Sequence, residues 1–510
     1  MKGKIKMVAA AMLWAAAFSV EAQTTLYGTY TKDGFLQSKM KLELTADDAL
    51  RFDRMRFYVD HADGSYDRYL YTKANVFSPT DPGIGLYRPR YLNGNDFDSE
   101  ESQYCFARSK QSEHFVVFWE AGFGNDPTKN PNPYRFDPDD LLERAEKVYA
   151  VNTQQLGFSK PGNSPTLDTY KTMLFVHYTN TWRATGSGVD YKCGTLDLNP
   201  AAANALSTAA HEIGHTFQYI VSCDLGTDHG WQYGFGENAR GQCQWWESCA
   251  QWQAFKVYPE RQFLESWEGY VYRYSHLNLL HEEWRYYNFF VQDYWCQLHG
   301  QDFIGRLWME SVKPEDPVET YQRITGSSQA DFCRDMYDYA CRAITWDIDA
   351  LRETGKKRTD RFVTSFHDLE DDWLEVDSAN CPQNYGFNII RLEKPEVGSV
   401  VTAEFKGEAG AKGYRAYKVD KAGWRYGFVA LKEDGTRVYG TMYDAPEGKA
   451  EFTAPEGITK LWFVVLGAPT EHWRHPWDMG TQGDKDVHTD ASLANDEQWP
   501  YRVRFSVPLR

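Results

Sequence analysis

Two histidines and a glutamate occur close together in the segment His211-Glu212-Ile213-Gly214-His215. If this segment is helical, the two histidines lie four residues apart on one face, so both rings can bind the same ion. Imidazole nitrogens are ligands that zinc prefers. Glu212 is rotated by about 100° from His211 around such a helix. Its carboxylate then lies beside the open coordination position and can act as general base, so the pattern predicts a zinc-dependent hydrolase.

A helix must position these side chains, and the flanking sequence predicts one. Asn199 is a favourable N-cap residue, and Pro200 suits the first helical position. Apolar residues then recur at helical spacing and predict a buried stripe, which is formed by Leu206, Ala209, Ala210, Ile213 and Phe217. We therefore expect one helix that begins at Pro200 and continues through Phe217.

A catalytic zinc usually has three protein ligands and a water, so a third ligand is expected downstream. We predict Glu247, because the segment from Trp245 to Phe255 indicates a second buried helix, where a carboxylate is costly without a counter-charge. A structural ion pair with an arginine is the other interpretation of this acid. Glu237, in a glycine-containing loop, is the second choice for the ligand. The remaining candidates by position are Asp224, Asp228 and His229, and His229 lacks the short interval typical of a third histidine ligand.

Two histidines and a later helical glutamate in this order resemble the gluzincin branch of zinc metallopeptidases. Gly214 before the second histidine is similar to the motif of the enhancin-like, mucin-associated peptidases. The wider text of residues 200–260 resembles a family of secreted bacterial, uncharacterised metallopeptidase-like proteins. The resemblance implies zinc at His211, His215 and Glu247, base catalysis by Glu212, and hydrolysis of peptide bonds. The gap before Glu247 is longer than in many gluzincins, and a glutamine stands at 251 where some have an acid.

Other residues of the site are less specifically indicated. The glycine-containing segment from Ala184 to Asp190 predicts a flexible turn before a strand at 194–198. This segment is either a surface loop or, by analogy with zincin-like folds, a partner for an extended peptide. A donor that stabilises the oxyanion is expected as well. The candidates, each of which could equally be structural, are His276, His281, Tyr286 and Tyr287.

Composition restricts the class of function. The formal charge is −17, and removing a predicted signal that holds three Lys and one Glu takes it to −19. Such a balance argues against nucleic-acid binding, which needs concentrated positive charge. The nine cysteines show no CxxC pair and no repeated spacing. A cysteine zinc knuckle is therefore disfavoured, and buried thiols with few disulfides are expected.

The N-terminus predicts export. Three lysines precede an apolar run from Met7 to Val20, and small residues surround a cleavage position after Ala22. No later apolar stretch approaches the roughly 18 residues that a membrane-spanning helix needs. We therefore expect a signal peptide at residues 1–22 and an exported chain that is secreted, periplasmic or at the cell surface, without a transmembrane segment.

The chain of 510 residues is long enough for several domains. Strand-forming segments dominate residues 23–112, strands and helices alternate before helices take over in 113–380, and short strands return in 381–510. We predict an α+β multidomain fold with a β-rich N-terminal module, a zincin-like metallopeptidase domain of mixed sheet plus helices, and a C-terminal antiparallel β-sandwich.

The preferred function is a peptidase that acts on extracellular proteins or glycoproteins, but two other functions fit parts of the sequence. One is a glycan- or surface-binding protein with a vestigial zinc site. The aromatic residues that could stack on sugar, although core packing is their more common role, are Trp424, Tyr426, Trp462, Trp473 and Trp477. The other is a glycoside hydrolase with paired carboxylates. Acids such as Glu282 and Glu283 are too numerous to nominate for it, and it leaves the paired histidines unexplained.

Overall fold

The computed structural model describes strands at residues 25–29, 40–41, 54–60 and 66–72, and then the ranges 85–231, 243–265, 267–474 and 496–510. The chain divides into two compact units, residues 1–227 and 228–510. The predicted signal peptide, Glu237 and Trp477 lie outside the described residues. The predicted domain boundaries stay predictions.

The first unit begins with an antiparallel sheet. Its strands, in the spatial order β2-β1-β3-β4-β5, are β1 (Thr25–Thr29), β2 (Met40–Lys41), β3 (Arg54–Asp60), β4 (Tyr66–Thr72) and β5 (Leu86–Tyr87). Alternating β-formers between polar and glycine-containing turns favour such strands. The β-rich character expected for the N-terminal module is therefore confirmed.

A mixed sheet follows in this unit. Its strands, in the order β6-β7-β8-β10-β9, are β6 (Ser109–Gln111), β7 (Phe115–Trp119), β8 (Thr172–Val176), β9 (Ala184–Val189) and β10 (Cys193–Leu198). The central strands β7, β8 and β10 are parallel, and both edge strands are antiparallel to their neighbours. All residues of β7 and β8 are buried, which is typical of parallel strands covered on both faces.

The described helices of the first unit are α1 (Pro138–Gln154), α2 (Pro165–Thr169), α3 (Pro200–Asn204) and α4 (Leu206–Leu225). The prediction of one helix from Pro200 through Phe217 is wrong at Ala205, whose ψ of 117° is extended. The Asn199 side chain accepts from the Ala202 backbone N–H and so caps only α3. The chain bends at Ala205 because its N–H closes the last turn of α3 while its carbonyl begins α4.

The predicted turn at 184–190 is largely the edge strand β9. The reversal is confined to Asp190 and Tyr191, whose φ values are 54° and 53°. The glycines of β9 serve close packing instead, because a Cβ at Gly186 would lie 1.9 Å from the backbone oxygen of Glu212. The glycines of this segment predict a turn, but in the structure they allow strand β9 to approach α4 closely.

The second unit combines helices with two sheets. Where the structure describes this unit, the helices are α5 (Cys243–Val257), α6 (Glu268–Tyr274), α7 (Phe290–His299), α8 (Phe303–Met309), α9 (Pro317–Thr325), α10 (Gln329–Ala343) and α11 (Arg352–Gly355). Helix α7 begins at Phe290. A separate 3-10 turn at Glu282–Trp284 precedes it, capped by the His281 side chain, which accepts from the Glu283 N–H.

The two C-terminal sheets face each other across one core. The first has the order β11-β12-β19-β14-β17 and the second β13-β18-β15-β16, with β11 (Phe366–Asp368), β12 (Leu374–Val376), β13 (Phe387–Leu392), β14 (Val400–Gly407), β15 (Trp424–Lys432), β16 (Arg437–Tyr439), β17 (Glu447–Thr453), β18 (Ile458–Gly467) and β19 (Tyr501–Phe505). Residues of both sheets, including Phe405, Phe463 and Val503, form the core between them. The predicted α+β multidomain fold class, with its mixed sheet and C-terminal sandwich, is confirmed.

Two smaller expectations bear on the surface and the thiols. Among the described residues, no helix combines the length and apolar character needed to cross a bilayer. The cysteines whose side chains are described are all free thiols, and most of them are buried. The expectation of buried thiols is thus confirmed for those residues.

Candidate metal centre

Helix α4 carries the histidine motif on its buried side. His211, Glu212 and His215 are 6%, 7% and 4% exposed, although imidazole and carboxylate groups are costly to bury without partners. Ile213 and Phe217 belong to the core and fix the rotation of the helix. The polar motif is therefore held in a defined position within an apolar setting.

The two imidazole rings converge through one nitrogen each. The Nε2 atoms of His211 and His215 lie 3.1 Å apart, and the rings are nearly perpendicular at 85°. Two nitrogen ligands at 2.0 to 2.1 Å from a tetrahedral zinc are separated by about 3.3 Å. The helix thus presents the nitrogen pair at the separation that a shared zinc ion requires.

Gln218 fixes the tautomer of His215. Its Oε1 lies 2.8 Å from Nδ1 of His215, and because an amide oxygen only accepts, Nδ1 donates the hydrogen bond. The lone pair is then on Nε2, the nitrogen that faces His211. Partners of this kind orient metal-binding histidines. Gln218 is not among the residues predicted from the sequence. Its position three residues after His215 on a helix does indicate that the two side chains are neighbours.

Glu247 lies on α5, in the second unit, and is 3% exposed. Trp245 and Trp246 precede Glu247 directly in the sequence and are buried as well. Glu282 fixes the start of this helix, since its Oε1 accepts from the backbone N–H of Gln244 at 3.1 Å. Burial raises the pKa of the Glu282 carboxyl. The sequence prediction of a buried acid on a second aromatic helix is therefore confirmed.

Three of the predicted residues form one group of potential ligands. One ligand atom from each of His211, His215 and Glu247 lies within 4.8 Å of the others, and all three side chains are buried. Within the described part of the chain, no other group of three or more His, Cys, Asp or Glu meets this criterion. Two nitrogens and one carboxylate fit a catalytic zinc, which keeps one position for water.

The other predicted ligands have different positions. Asp224 accepts from the hydroxyls of Ser159 and Ser164 at 3.1 and 2.5 Å and from the Thr166 N–H at 3.0 Å. It therefore holds the start of α2. Asp228 is exposed, and neither it nor His229 belongs to the ligand group.

The candidate oxyanion donors make contacts within the second unit. His281 contacts Asp496 through Nε2 at 3.2 Å and accepts the Glu283 N–H through Nδ1. Burial, followed by the charge of His281, lowers the pKa of His276 to about 4. Tyr287 stacks on Tyr270 with ring centroids 3.9 Å apart, and Tyr286 packs edge-on against Tyr287. These contacts support structural roles for His281 and Tyr287.

The aromatic residues considered for sugar stacking in the C-terminal domain are largely core residues. Trp424, Tyr426 and Trp462 are 3%, 0% and 1% exposed. Trp473 is partly buried against the same core. The described members of this set therefore offer little exposed ring surface.

A family model for DUF6055, a family of unknown function, matches residues 82–508. The chain belongs to the DUF6055 family. The match covers most of the mixed-sheet unit, the histidine helix and the sandwich, and the family description gives no activity. None of the curated proteins compared with the chain matches it.

Proposed function

We propose that this DUF6055 protein is an exported zinc-dependent peptidase that hydrolyses peptide bonds of extracellular proteins or glycoproteins. His211, His215 and Glu247 hold the metal, and Glu212 is the general base. The observation that carries the proposal is the 3.1 Å separation of the two Nε2 atoms on one helix. The buried three-residue ligand group supports it further.

In the proposed peptide hydrolysis, the metal and Glu212 have different roles. Zinc, which His211, His215 and Glu247 would hold, would supply a bound water with a pKa of about 7 and a Lewis acid for the substrate carbonyl oxygen. Glu212 follows the first ligand directly in the sequence and is buried, so its carboxylate shares the dry environment of the histidines. It accepts the proton of the attacking water and passes it to the leaving amine.

Strand β9 supports a peptide as the substrate. Among the described strands it is the last of its sheet, where it pairs with β10. An extended peptide can add to such an edge through backbone hydrogen bonds. Gly186 in β9 lies against the backbone of Glu212, so a peptide bound along this edge runs beside the helix that carries the base.

The test is a Glu212→Gln variant of the full chain. This substitution removes the base but no ligand, so we expect about one zinc per chain and a loss of cleavage of at least about 100-fold. Glu143→Gln, which removes an exposed acid of α1, is the matched control and should cleave like the wild type. The readouts are metal content and cleavage of a mixed panel of proteins and glycoproteins. Undiminished cleavage by Glu212→Gln, or no cleavage by the zinc-loaded wild type, would contradict the proposal.

A further inference from the structure

A second polar cluster lies at the carboxyl edge of the mixed sheet. Glu120 directly follows β7, His177 directly follows β8, and Asp197 is the penultimate residue of β10. These three strands are parallel. The imidazole bridges both acids, with Nδ1 3.2 Å from Glu120 Oε1 and Nε2 2.6 Å from Asp197 Oδ1. Ligands of α/β sheets commonly bind outside the carboxyl ends of the strands.

The cluster is charged and held in place. Hydrogen bonds from His177, from Gln103 at 2.7 Å and from the Tyr178 backbone N–H at 2.7 Å lower the pKa of Glu120 to about 2. Burial alone would lower the pKa of His177, but its hydrogen bonds to Asp197 and Glu120 outweigh burial and raise it. These fixed side chains form a preorganised polar wall.

An open cavity of about 580 Å³ lies in front of this wall. Trp182 is 61% exposed and lines the cavity together with Glu120, His177 and Arg183. The hydroxyl residues Thr179, Thr181 and Thr185 complete much of the lining. The volume falls within the range of small-molecule sites, and the mixture of one large aromatic face with a few placed polar groups is typical of them.

The charges select the chemical class of the ligand. The Arg183 guanidinium pairs with the Asp197 carboxylate at 3.4 Å, and the His177 imidazole lies between Glu120 and Asp197. An anionic ligand would meet the carboxylates, and a cationic ligand would meet the guanidinium. A neutral ligand that offers hydroxyl groups and an apolar ring face can instead use the acceptors, the donors and the indole together.

We propose that this cavity is a carbohydrate-binding site for a neutral pyranose, which stacks on Trp182 and hydrogen-bonds to Arg183 and Glu120. The site is formed within the first unit and does not depend on the zinc proposal. It places sugar recognition at the edge of the mixed sheet and not in the C-terminal sandwich.

The test is binding of simple sugars to the full chain after metal removal with EDTA. The probes are the methyl glycosides of glucose, galactose, mannose, N-acetylglucosamine and N-acetylgalactosamine, measured by saturation-transfer NMR and calorimetry. We expect at least one glycoside to bind with millimolar affinity. Because the indole supplies the stacking face, Trp182→Ala should weaken binding about tenfold, while Tyr191→Ala, an exposed aromatic outside the cavity lining, should not.

Trp182 is exposed, so its truncation should leave thermal unfolding of the protein unchanged and keep the comparison interpretable. Absence of binding for all five glycosides, or equal affinity in Trp182→Ala and the wild type, would overturn the proposal. Binding of the probe N-acetyl-arginine amide in place of the glycosides would also overturn it, because a cationic ligand would then be favoured. None of these readouts uses peptide cleavage, so a failure of the zinc proposal is distinguishable from a failure of this one.

Discussion

At the scale of single residues, the proposed metal centre depends on which nitrogen of the His215 imidazole carries the proton. The Gln218 amide oxygen accepts from Nδ1 of His215, which leaves the lone pair on Nε2, the nitrogen that faces His211 and the proposed zinc. Gln218 and His215 lie within one turn of α4, so the contact between them depends only on the folding of this helix. Gln218 is therefore a positioning residue for a ligand and touches neither the metal nor the substrate in the proposed mechanism.

Replacing Gln218 should weaken zinc binding without abolishing it. We expect Gln218→Ala to lower zinc affinity about 10- to 100-fold, because loss of an outer partner frees the ring and its tautomer. Gln218→Glu keeps an acceptor for Nδ1 and should retain more of the affinity. Competition with a chromophoric chelator measures the change, and Gln155→Ala, at an exposed position, is the control. Unchanged affinity in Gln218→Ala would contradict the role given to the amide.

The convergence of His211 and His215 could be predicted, because residues four apart lie on the same face of a helix. The cluster of Glu120, His177 and Asp197 could not, since its members are 57 and 20 residues apart along the chain. Only the pairing of parallel strands brings them to one edge. Gln218 was within reach of the same helical argument that found the histidines.

At the scale of elements, β9 and α4 are pressed together through glycine. A Cβ at Gly186 would lie 1.9 Å from the Glu212 carbonyl oxygen, and one at Gly188 would lie 2.1 Å from the Tyr219 ring. The strand and the helix therefore fit only without side chains at these positions. The edge proposed for peptide binding and the helix of the proposed base are one packed assembly.

Gly186→Ala should separate this pair of elements. The new methyl group meets backbone and cannot be accommodated by a side-chain rotation, so we expect a loss of unfolding free energy of about 3 kcal/mol. Cleavage should fall with it, because the backbone of Glu212 is displaced. Gly94→Ala, where a Cβ meets nothing within 4 Å, should be nearly neutral. Denaturant unfolding compares the two variants, and equal stabilities would show that the approach is not tight.

Sequence reasoning found most elements but misjudged two near the site. Both errors come from local signals, since Asn199 and Pro200 predict the start of the helix that carries His211, and the glycines of β9 predict a turn. A cap does not specify how far its helix continues, and glycine permits close packing as readily as reversal. Tertiary contacts with α4 decide the second case.

At the scale of the whole molecule, the second unit buries acids whose ionisation opposes folding. Glu497 is fully buried ahead of β19 and accepts the Asn384 N–H at 2.8 Å. Burial, reinforced by the charge of Asp496, raises the pKa of Glu497 to about 7. A raised carboxyl pKa contributes stability below the unfolded value of 4.5 that is lost as pH rises through about 7.

Glu497→Gln should therefore flatten the dependence of stability on pH. Between pH 4 and 8 the wild type should lose about 3 kcal/mol of unfolding free energy relative to the variant. The amide oxygen can still accept from Asn384, which keeps the comparison close to isosteric. Denaturant unfolding across this pH range is the measurement, with Glu456→Gln at an exposed position as the control. Parallel pH profiles for wild type and Glu497→Gln would contradict the assignment.

We propose that this chain holds one catalytic zinc through His211, His215 and Glu247. Elemental analysis of the zinc-loaded and dialysed full chain tests it most directly, beside Glu247→Gln and the exposed-site control Glu260→Gln. We expect about one zinc per chain in the wild type and the control, and a large loss of bound zinc in Glu247→Gln. A folded wild type that retains no zinc would contradict it.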